Sequence, residues 1–210
     1  MKRILIIIGL LALAACSSTR FVGSWKNQEI SSFKPQKLLV VGITDNLTAR
    51  KIFEEELRKA FLLRSIYAEE STIVFDETFT TSKKTEEEVN QMTQGISDKG
   101  FDAVIITAVK GVDEKRSYSP NYYTIGYRWS HFGHYYYRFQ DVYYTPEYYE
   151  SYKVYTIETS IYNLNEEDSK SLVWTGSFNL INPQSISSTI KDYVDKIVRQ
   201  LEKENLIEKR

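Results

Sequence analysis

Two short apolar runs stand out in the hydropathy pattern of this chain. Leu38–Ile43 and Ala103–Val109 are almost continuously apolar and rich in β-branched residues. Such runs predict strands that are covered on both faces, as in a parallel sheet. A further strand is expected between them, at residues 66–68 or 73–75.

Helical patterns lie between the two runs. Apolar residues recur every three or four positions from Ala49 to Phe61, after a Thr44-Asp45-Asn46 segment that offers N-cap side chains. A second helix is predicted by a capping box at Thr85 and Glu88, and Gly100 is well placed to end it. Strands that alternate with helices in this way indicate βαβ units with parallel pairing.

The pattern changes in the last third of the chain. Tyr152–Tyr162 and Leu172–Ile181 alternate between apolar and polar residues, which predicts an antiparallel hairpin with one buried face. Asn182 and Pro183 then supply an N-cap and a proline for the first helical position. The predicted closing helix carries an apolar stripe, which consists of Ile186, Ile190, Val194, Ile197 and Leu201.

Together these elements predict a mixed α/β (α+β) fold. Its order is β-α-β-α-β, then the long antiparallel hairpin, then a C-terminal helix packed on the sheet. The sequence has 210 residues, a length that suits one domain with its own core. We place that domain at residues 37–210, with a tyrosine-rich insertion at residues 118–150.

The first sixteen residues are organised differently. Lys2 and Arg3 precede an apolar stretch that ends in Leu13-Ala14-Ala15-Cys16. The segment resembles a bacterial lipoprotein signal, which implies cleavage before Cys16 and acylation of that cysteine. A transmembrane anchor is the first alternative, but the apolar stretch is shorter than the roughly 20 residues that a span needs. An ordinary secretory signal is the second, and it would not explain why the sole cysteine falls here.

We therefore expect residues 1–15 to be a lipoprotein signal peptide and residues 16–36 to be a lipid-anchored tether. In similar lipoproteins an aspartate after the cysteine often signals retention in the inner membrane, whereas Ser17 and Ser18 follow Cys16 here. We expect attachment to the outer membrane, facing the periplasm. The formal charge of −1 gives no electrostatic footprint for nucleic acid. With Cys16 acylated, no thiol remains for a disulfide or a cysteine nucleophile.

The element order also resembles a broad group of bacterial lipoproteins of unknown function. The resemblance covers residues 37–61, residues 100–109, the Leu172–Gly176 strand and the helix after Pro183. The cores of that group are similar to the N-terminal domain of TolB and to the curli-secretion lipoprotein CsgG. The resemblance implies an envelope binding or assembly module without catalytic residues, and no functional residue is carried over from it.

Thirteen of the 16 tyrosines lie between Tyr118 and Tyr155. Tyrosine combines a flat apolar ring with a polar hydroxyl, so one hypothesis is an aromatic platform for glycan, peptidoglycan or an envelope protein. The alternative is structural: the tyrosines would stack on one another and cover one edge of the sheet. The residues of the predicted platform are Tyr122, Tyr123, Tyr127, Trp129, Tyr135, Tyr136 and Tyr137.

The two histidines, His131 and His134, lie in the same segment. Their spacing is compatible with one metal ion, but a catalytic zinc needs about three protein ligands. Asp141 and Glu147 are the nearby acids, whereas the neighbouring arginines would oppose a cation. We therefore predict no metal site and no cofactor.

The sequence lacks a phosphate loop, a dinucleotide fingerprint and a nucleophile elbow. The acidic triplets 54–56 and 86–88 are expected on solvated helix faces, and Glu158 is the acid at a plausible sheet position. We expect a non-enzymatic envelope lipoprotein that binds or scaffolds another envelope component. A glycan-binding module is the main alternative, and a periplasmic hydrolase using His131 or His134 is a weaker one.

Overall fold

The computed structural model describes residues 18–30, 33–44, 46–75, 85–118, 149–165, 171–183 and 185–209. In this part of the chain six strands form one mixed sheet, in the order β1-β6-β5-β4-β2-β3. The strands are β1 Thr19–Lys26, β2 Leu38–Ile43, β3 Ala68–Glu70, β4 Ala103–Tyr118, β5 Tyr149–Asn163 and β6 Leu172–Ile181. The helices are α1 Leu47–Leu62, α2 Ser71–Val74, α3 Glu86–Asp98 and α4 Ile186–Lys203.

The sheet has a parallel part and an antiparallel part. Strand β2 pairs in parallel with both β3 and β4, while β5 pairs antiparallel with β4 and β6, and β1 adds antiparallel to β6. The predicted mixed α/β fold is therefore confirmed. So are the parallel pairing of the two apolar runs and the antiparallel hairpin of β5 and β6.

Helices cover both faces of the sheet. Helices α1 and α4 lie on one face, where alternate strand residues such as Leu38, Ile105 and Trp174 join the larger core. Helix α3 lies on the other face, where Ile96 packs against Leu39, Val41 and Val104. The buried stripe of α4 includes Ile190, Val194, Ile197 and Leu201, as the sequence predicts, whereas Ile186 is exposed.

The predicted start of α1 and the predicted start and end of α3 are confirmed. The Asn46 side chain accepts a hydrogen bond from the Ala49 N–H at 2.9 Å, and Thr85 and Glu88 form a complete capping box. Gly100 has a φ of +80° just beyond α3, a conformation that glycine adopts without steric cost. Helix α4 differs, because Ser185 is its N-cap. Asn182 instead takes a left-handed conformation and donates its N–H to the Lys153 carbonyl.

The structure differs from the predicted tether at Thr19–Lys26, which forms β1 of the sheet. Phe21 packs edge-on against Phe178, with ring centroids 5.4 Å apart. A register shift between Phe21 and Gly23 interrupts the pairing with β6. Because this bulge breaks the period of two, the strand has no regular alternation in its sequence.

The strand expected between the two apolar runs is displaced from both predicted ranges. Strand β3 covers Ala68–Glu70, so it overlaps the first proposed range only at Ala68. Residues of the second proposed range form the one-turn helix α2. Three residues are too few to show a period in a sequence.

The two ends of the sheet are named after the residues of β1 that lie there. We call them the Thr19 end, where β1 begins and β6 finishes, and the Lys26 end, where β1 finishes. Strands β2, β3 and β4 run toward the Thr19 end, but β2 stops at the height of Gly23 and β3 at the height of Lys26. Both α1 and α4 run from the Thr19 end back toward the Lys26 end.

Candidate functional site

The chain enters the sheet immediately after the predicted lipidation site. The Ser18 carbonyl accepts a hydrogen bond from the Ile181 N–H at 2.8 Å. The Thr19 N–H donates to the Asp192 carboxylate of α4 at 2.9 Å. Cys16 itself lies outside the described residues, so its predicted acylation stays a prediction. The described residues begin two positions after it, at Ser18.

A two-stranded arm extends from the same end of the sheet. The pairing of β2 with β4 stops at Ala108, and the pairing of β5 with β6 begins at Val154. Beyond these points β4 and β5 pair with each other as far as Tyr118 and Tyr149. The arm therefore carries the chain away from the helices before the tyrosine-rich segment starts.

The predicted platform and the histidines lie outside the described residues. The chain leaves the described part after Tyr118 and returns at Tyr149, so the tip of the arm is where the segment begins and ends. The structure neither brings together nor separates the residues of the predicted platform and the two histidines: Tyr122, Tyr123, Tyr127, Trp129, His131, His134, Tyr135, Tyr136 and Tyr137.

One residue of the first acidic triplet is not at the surface. Glu54 is completely buried, and its carboxylate accepts hydrogen bonds from the Arg50 Nε at 3.1 Å and the Ser71 hydroxyl at 2.6 Å. Two backbone groups also donate to it, the N–H of Gly42 at 2.9 Å and that of Thr72 at 2.8 Å. The expectation that Glu54 is solvated is therefore wrong, because this side chain joins β2, α1 and α2.

A signal for this cluster is present in the sequence. The buried residues of α1 are Arg50, Phe53, Glu54, Leu57 and Phe61, which follow the spacing of one helix face. Arg50 and Glu54 are four residues apart on that face, the arrangement of an intrahelical ion pair. The same face therefore contains two opposite charges that neutralise each other inside the core.

A second buried polar group lies between the sheet and α4. The Thr159 hydroxyl contacts the Thr107 hydroxyl at 2.6 Å and the Tyr193 hydroxyl at 2.5 Å. Burial raises the pKa of the Tyr193 phenol far above its ordinary value, and the hydrogen bond to Thr159 opposes this shift. The Tyr193 phenol is therefore protonated at neutral pH and serves as a structural hydrogen-bonding group.

The opposite face of β5 and β6 is polar. Ser160 donates to Thr175 at 2.9 Å, and Thr156 donates to Asn179 at 3.3 Å. Glu158, the acid that the sequence placed on the sheet, forms an ion pair with Lys110 at 3.4 Å. Its partner is a lysine, whereas glycosidase chemistry needs a second carboxyl group facing the same cleft.

A shallow depression of about 310 Å³ lies beside α3. The Glu88 carboxylate in its wall accepts the Thr85 N–H of the capping box. Within the described ranges, no group of three His, Cys, Asp or Glu side chains is arranged to hold a metal ion. No helix in the described part of the chain is long and apolar enough to cross a membrane. The residues that line the depression are Phe75, Glu88, Gln91, Met92 and Gly95.

Comparisons with known proteins return remote structural similarities. No protein-family model matches the chain, and no curated protein matches it. PelC from Paraburkholderia phytofirmans, solved as a dodecamer, is 10% identical with a TM-score of 0.42, over 87% of this chain and 95% of that one. Lipoprotein GNA1162 from Neisseria meningitidis is 14% identical with a TM-score of 0.42, over 80% of this chain and 99% of that one.

These scores and identities do not establish a shared family or function. The resemblance to the TolB N-terminal domain and to CsgG stays a prediction.

Proposed function

We propose that the protein is a non-enzymatic cell-envelope lipoprotein whose α/β domain binds or scaffolds another envelope component. The observation that carries the proposal is the position of the sole cysteine. Cys16 ends a signal-like segment and lies two residues before Ser18, where the chain joins the sheet. Cleavage before Cys16 would remove nothing from the described fold and would leave the acylated residue directly beside it.

The buried polar groups support the non-enzymatic part of the proposal. Ligands of open α/β sheets bind outside the carboxyl ends of the parallel strands. Here Glu54 and Arg50 occupy that region, and the four donors to Glu54 hold its carboxylate inside the protein. A catalytic acid or base must instead reach a substrate atom.

The proposed location is the periplasmic side of the outer membrane. Ser17 and Ser18 follow Cys16, in place of the aspartate that often marks inner-membrane retention in similar lipoproteins. Stable anchoring requires more than one lipid chain, which acylation of both the thiol and the new amino group of Cys16 would supply.

Crosslinking in intact cells tests the binding or scaffold role. The wild-type protein and a Cys16→Ala variant would be crosslinked, purified and compared for co-purifying proteins. We expect an envelope protein that is recovered with the anchored form and absent with the variant. Turnover of an envelope substrate by the purified protein, abolished by a single polar substitution, would contradict the proposal.

A second candidate is a glycan-binding role for the tyrosine-rich segment. The arm favours this candidate. It ends at Tyr118 and Tyr149, where the segment begins and ends, and it lies beyond the part of the sheet that the helices cover. Peptidoglycan pull-down with Trp129→Ala and with Tyr135→Ala tests it. Retention equal to that of the wild-type protein in both variants would remove this candidate.

A further inference from the structure

We propose that strand β1 is a releasable strap that sets how far the anchored body reaches from the membrane. Docked on β6, the strap holds the body three residues from Cys16. Released from β6, it lengthens the tether, and the body then begins at Asn27. The release is a property of the fold, whereas its effect on reach rests on the proposed function, because it requires an acylated Cys16.

The strap is the edge strand of the sheet and buries little apolar surface. It pairs only with β6, and a bulge between Phe21 and Gly23 interrupts that ladder. Val22 and Trp25 remain 58% and 48% exposed in the docked strand. A segment with few buried apolar contacts and an exposed backbone opens at a lower free energy than the core of its domain. We therefore expect β1 to open without global unfolding.

The core beneath the strap has partners of its own. Phe21 packs against Phe178, but the Phe178 ring also packs edge-on against Tyr193 of α4, with centroids 5.2 Å apart. The Trp174 indole N–H donates to Glu204 at the end of the same helix, at 3.0 Å. On its other side β6 pairs with β5. Release of β1 therefore leaves β6 and α4 held by the remaining fold.

Polar contacts fasten both ends of the strap to α4. The Thr19 N–H donates to the Asp192 carboxylate at 2.9 Å, close to the start of the helix. At the other end, the Ser24 hydroxyl donates to the carboxylate of Glu204, the C-cap residue, and the Lys26 ammonium donates to the Glu204 carbonyl at 3.0 Å. None of these three contacts is fully buried, so water can replace each of them when the strand leaves.

Asn27 is the hinge at which the release ends. This residue is buried, and its backbone N–H donates to the Val173 carbonyl at 3.0 Å. Its side-chain amide donates to the Leu172 carbonyl at 3.2 Å. The side-chain oxygen accepts the Glu29 N–H at 3.0 Å. These bonds continue to hold the chain to the start of β6 after β1 has left.

Release changes the reach of the anchor several-fold. Three residue steps separate Cys16 from Thr19, and at about 3.5 Å per residue an extended chain of this length spans roughly 10 Å. Eleven steps separate Cys16 from Asn27, which extends the reach to roughly 40 Å. The attachment point also moves from the Thr19 end to the Lys26 end, so the arm is then free to point away from the membrane.

The sequence supports a strand with two states. The polar composition of residues 16–36 predicts a tether, while the structure places Thr19–Lys26 in the sheet. Both descriptions hold when the segment exchanges between a docked strand and a free chain. A partner that lies farther from the membrane than the docked body reaches would then meet only the released state.

Hydrogen exchange followed by mass spectrometry tests the release. The full-length acylated protein would be compared with a double variant, Ser24→Ala with Lys26→Ala, which removes the side-chain contacts of β1 to Glu204. Lys59→Ala is the matched control, because Lys59 pairs with Glu55 on α1 and has no part in the strap. Exchange would be read in peptides from β1 and from β5.

In the wild-type protein we expect the slowest amides of β1 to be at least about tenfold less protected than those of β5, because only the amides of β5 need the core to open. The double variant should lower the protection of β1 by a further several-fold and leave that of β5 unchanged. Lys59→Ala should change neither. Equal protection of β1 and β5, or a double variant whose β1 exchanges no faster than that of the wild type, overturns the strap.

Energy transfer in vesicles tests the effect on reach. Each protein would carry a donor dye at Val112→Cys on the arm, in vesicles of phosphatidylethanolamine and phosphatidylglycerol that contain acceptor-labelled lipid. Acylation blocks the thiol of Cys16, so the dye reaches only the introduced cysteine. We expect weaker energy transfer in the double variant than in the wild type and in Lys59→Ala, because the released body lies farther from the lipid.

Vesicle flotation separates this proposal from the proposed function. Protein that floats with the vesicles and releases β1, but shows equal energy transfer in all three forms, overturns the control of reach and leaves the anchor intact. Failure to float, with an unmodified Cys16, overturns the proposed function and the control of reach together. The exchange of the β1 amides decides the release of the strand in either case.

Discussion

At the scale of single residues, Glu54 and Glu55 are neighbours in one helix with opposite environments. Glu54 is fully buried against Arg50, whereas the Glu55 side chain is 48% exposed and pairs with Lys59. Removing the Glu54 carboxylate breaks its buried ion pair with Arg50 and also removes the acceptor of the Gly42 and Thr72 N–H groups. A buried charge that loses its partner costs about 3–5 kcal/mol.

We therefore expect Glu54→Ala to lower the free energy of unfolding by about 3–5 kcal/mol in urea denaturation. Glu55→Ala is the matched control and should change the free energy far less, because exposed ion pairs contribute little. Similar losses in the two variants would contradict the structural role assigned to Glu54.

Tyr193 predicts a dependence of stability on alkaline pH. Burial raises the pKa of its phenol in the folded state above the ordinary value of about 10. The unfolded chain therefore releases this proton first, so the stabilisation is complete below about pH 10 and is lost as the pH rises. One such group lowers the free energy of unfolding by up to about 1.4 kcal/mol for each pH unit.

Tyr193→Phe should remove this part of the alkaline decline, which denaturation between about pH 9 and pH 11 would measure. At neutral pH the variant should lose about 1 kcal/mol, because the hydrogen bond to Thr159 disappears. If the free energy of unfolding declined in parallel for the wild type and the variant, burial of the phenol would not be the cause of the decline.

Residue environments could be predicted only where the pattern was regular. The predicted burial of the α4 stripe was correct at Ile190, Val194, Ile197 and Leu201, because aliphatic residues occupy one face of the helix. Glu54 was missed because three successive glutamates resemble a solvated surface. Its burial depends on the Ser71 hydroxyl and the Thr72 N–H, which are distant in the sequence and meet it only in the fold.

At the scale of elements, Gly176 shows how β6 is fitted to its neighbours. A Cβ atom at this position would lie 2.3 Å from the Cη2 atom and 2.6 Å from the Cζ2 atom of the Trp174 ring. The ring is fully buried, and its indole N–H donates to Glu204 at 3.0 Å, so it has no free space into which to move.

Gly176→Ala should therefore destabilise the fold by about 1–3 kcal/mol or more, as overpacked core substitutions do. Gly23→Ala is the control, because a Cβ atom at Gly23 in β1 would meet nothing within 4 Å. Thermal or urea unfolding of both variants measures the difference. Equal stability of the two variants would show that the Trp174 ring does not lie over Gly176.

The elements that were predicted correctly have a recognisable local sequence pattern. Strands β2 and β6 follow clear apolar patterns, and α1 and α3 begin at recognisable caps. Strand β1 was missed because of its bulge and because it pairs only with β6, at the edge of the sheet. The outer part of β4 was missed because charged residues such as Asp113, Glu114 and Lys115 break the apolar run.

At the scale of the whole molecule, the topology places the entry of the chain and the arm at one end of the sheet. The chain enters the fold at Thr19, and the arm leaves the same end toward the tyrosine-rich segment. The sequence predicted acylation of Cys16 and the tyrosine-rich segment, but it missed β1 and the outer part of β4, so it gave no sign that both connect to the same end of the sheet. Their proximity follows from the antiparallel addition of β1 to β6, a long-range pairing that a local pattern does not encode.

The central claim is that the folded body is held to a membrane through acylated Cys16. Mass spectrometry of the protein purified from membranes, with Cys16→Ala as the control, tests it most directly. We expect the N-terminal peptide to begin at Cys16 and to carry acyl chains, and we expect the variant to be released from the membrane fraction. A membrane-bound protein with a free thiol at Cys16, or with Met1–Ala15 still attached, would contradict the account.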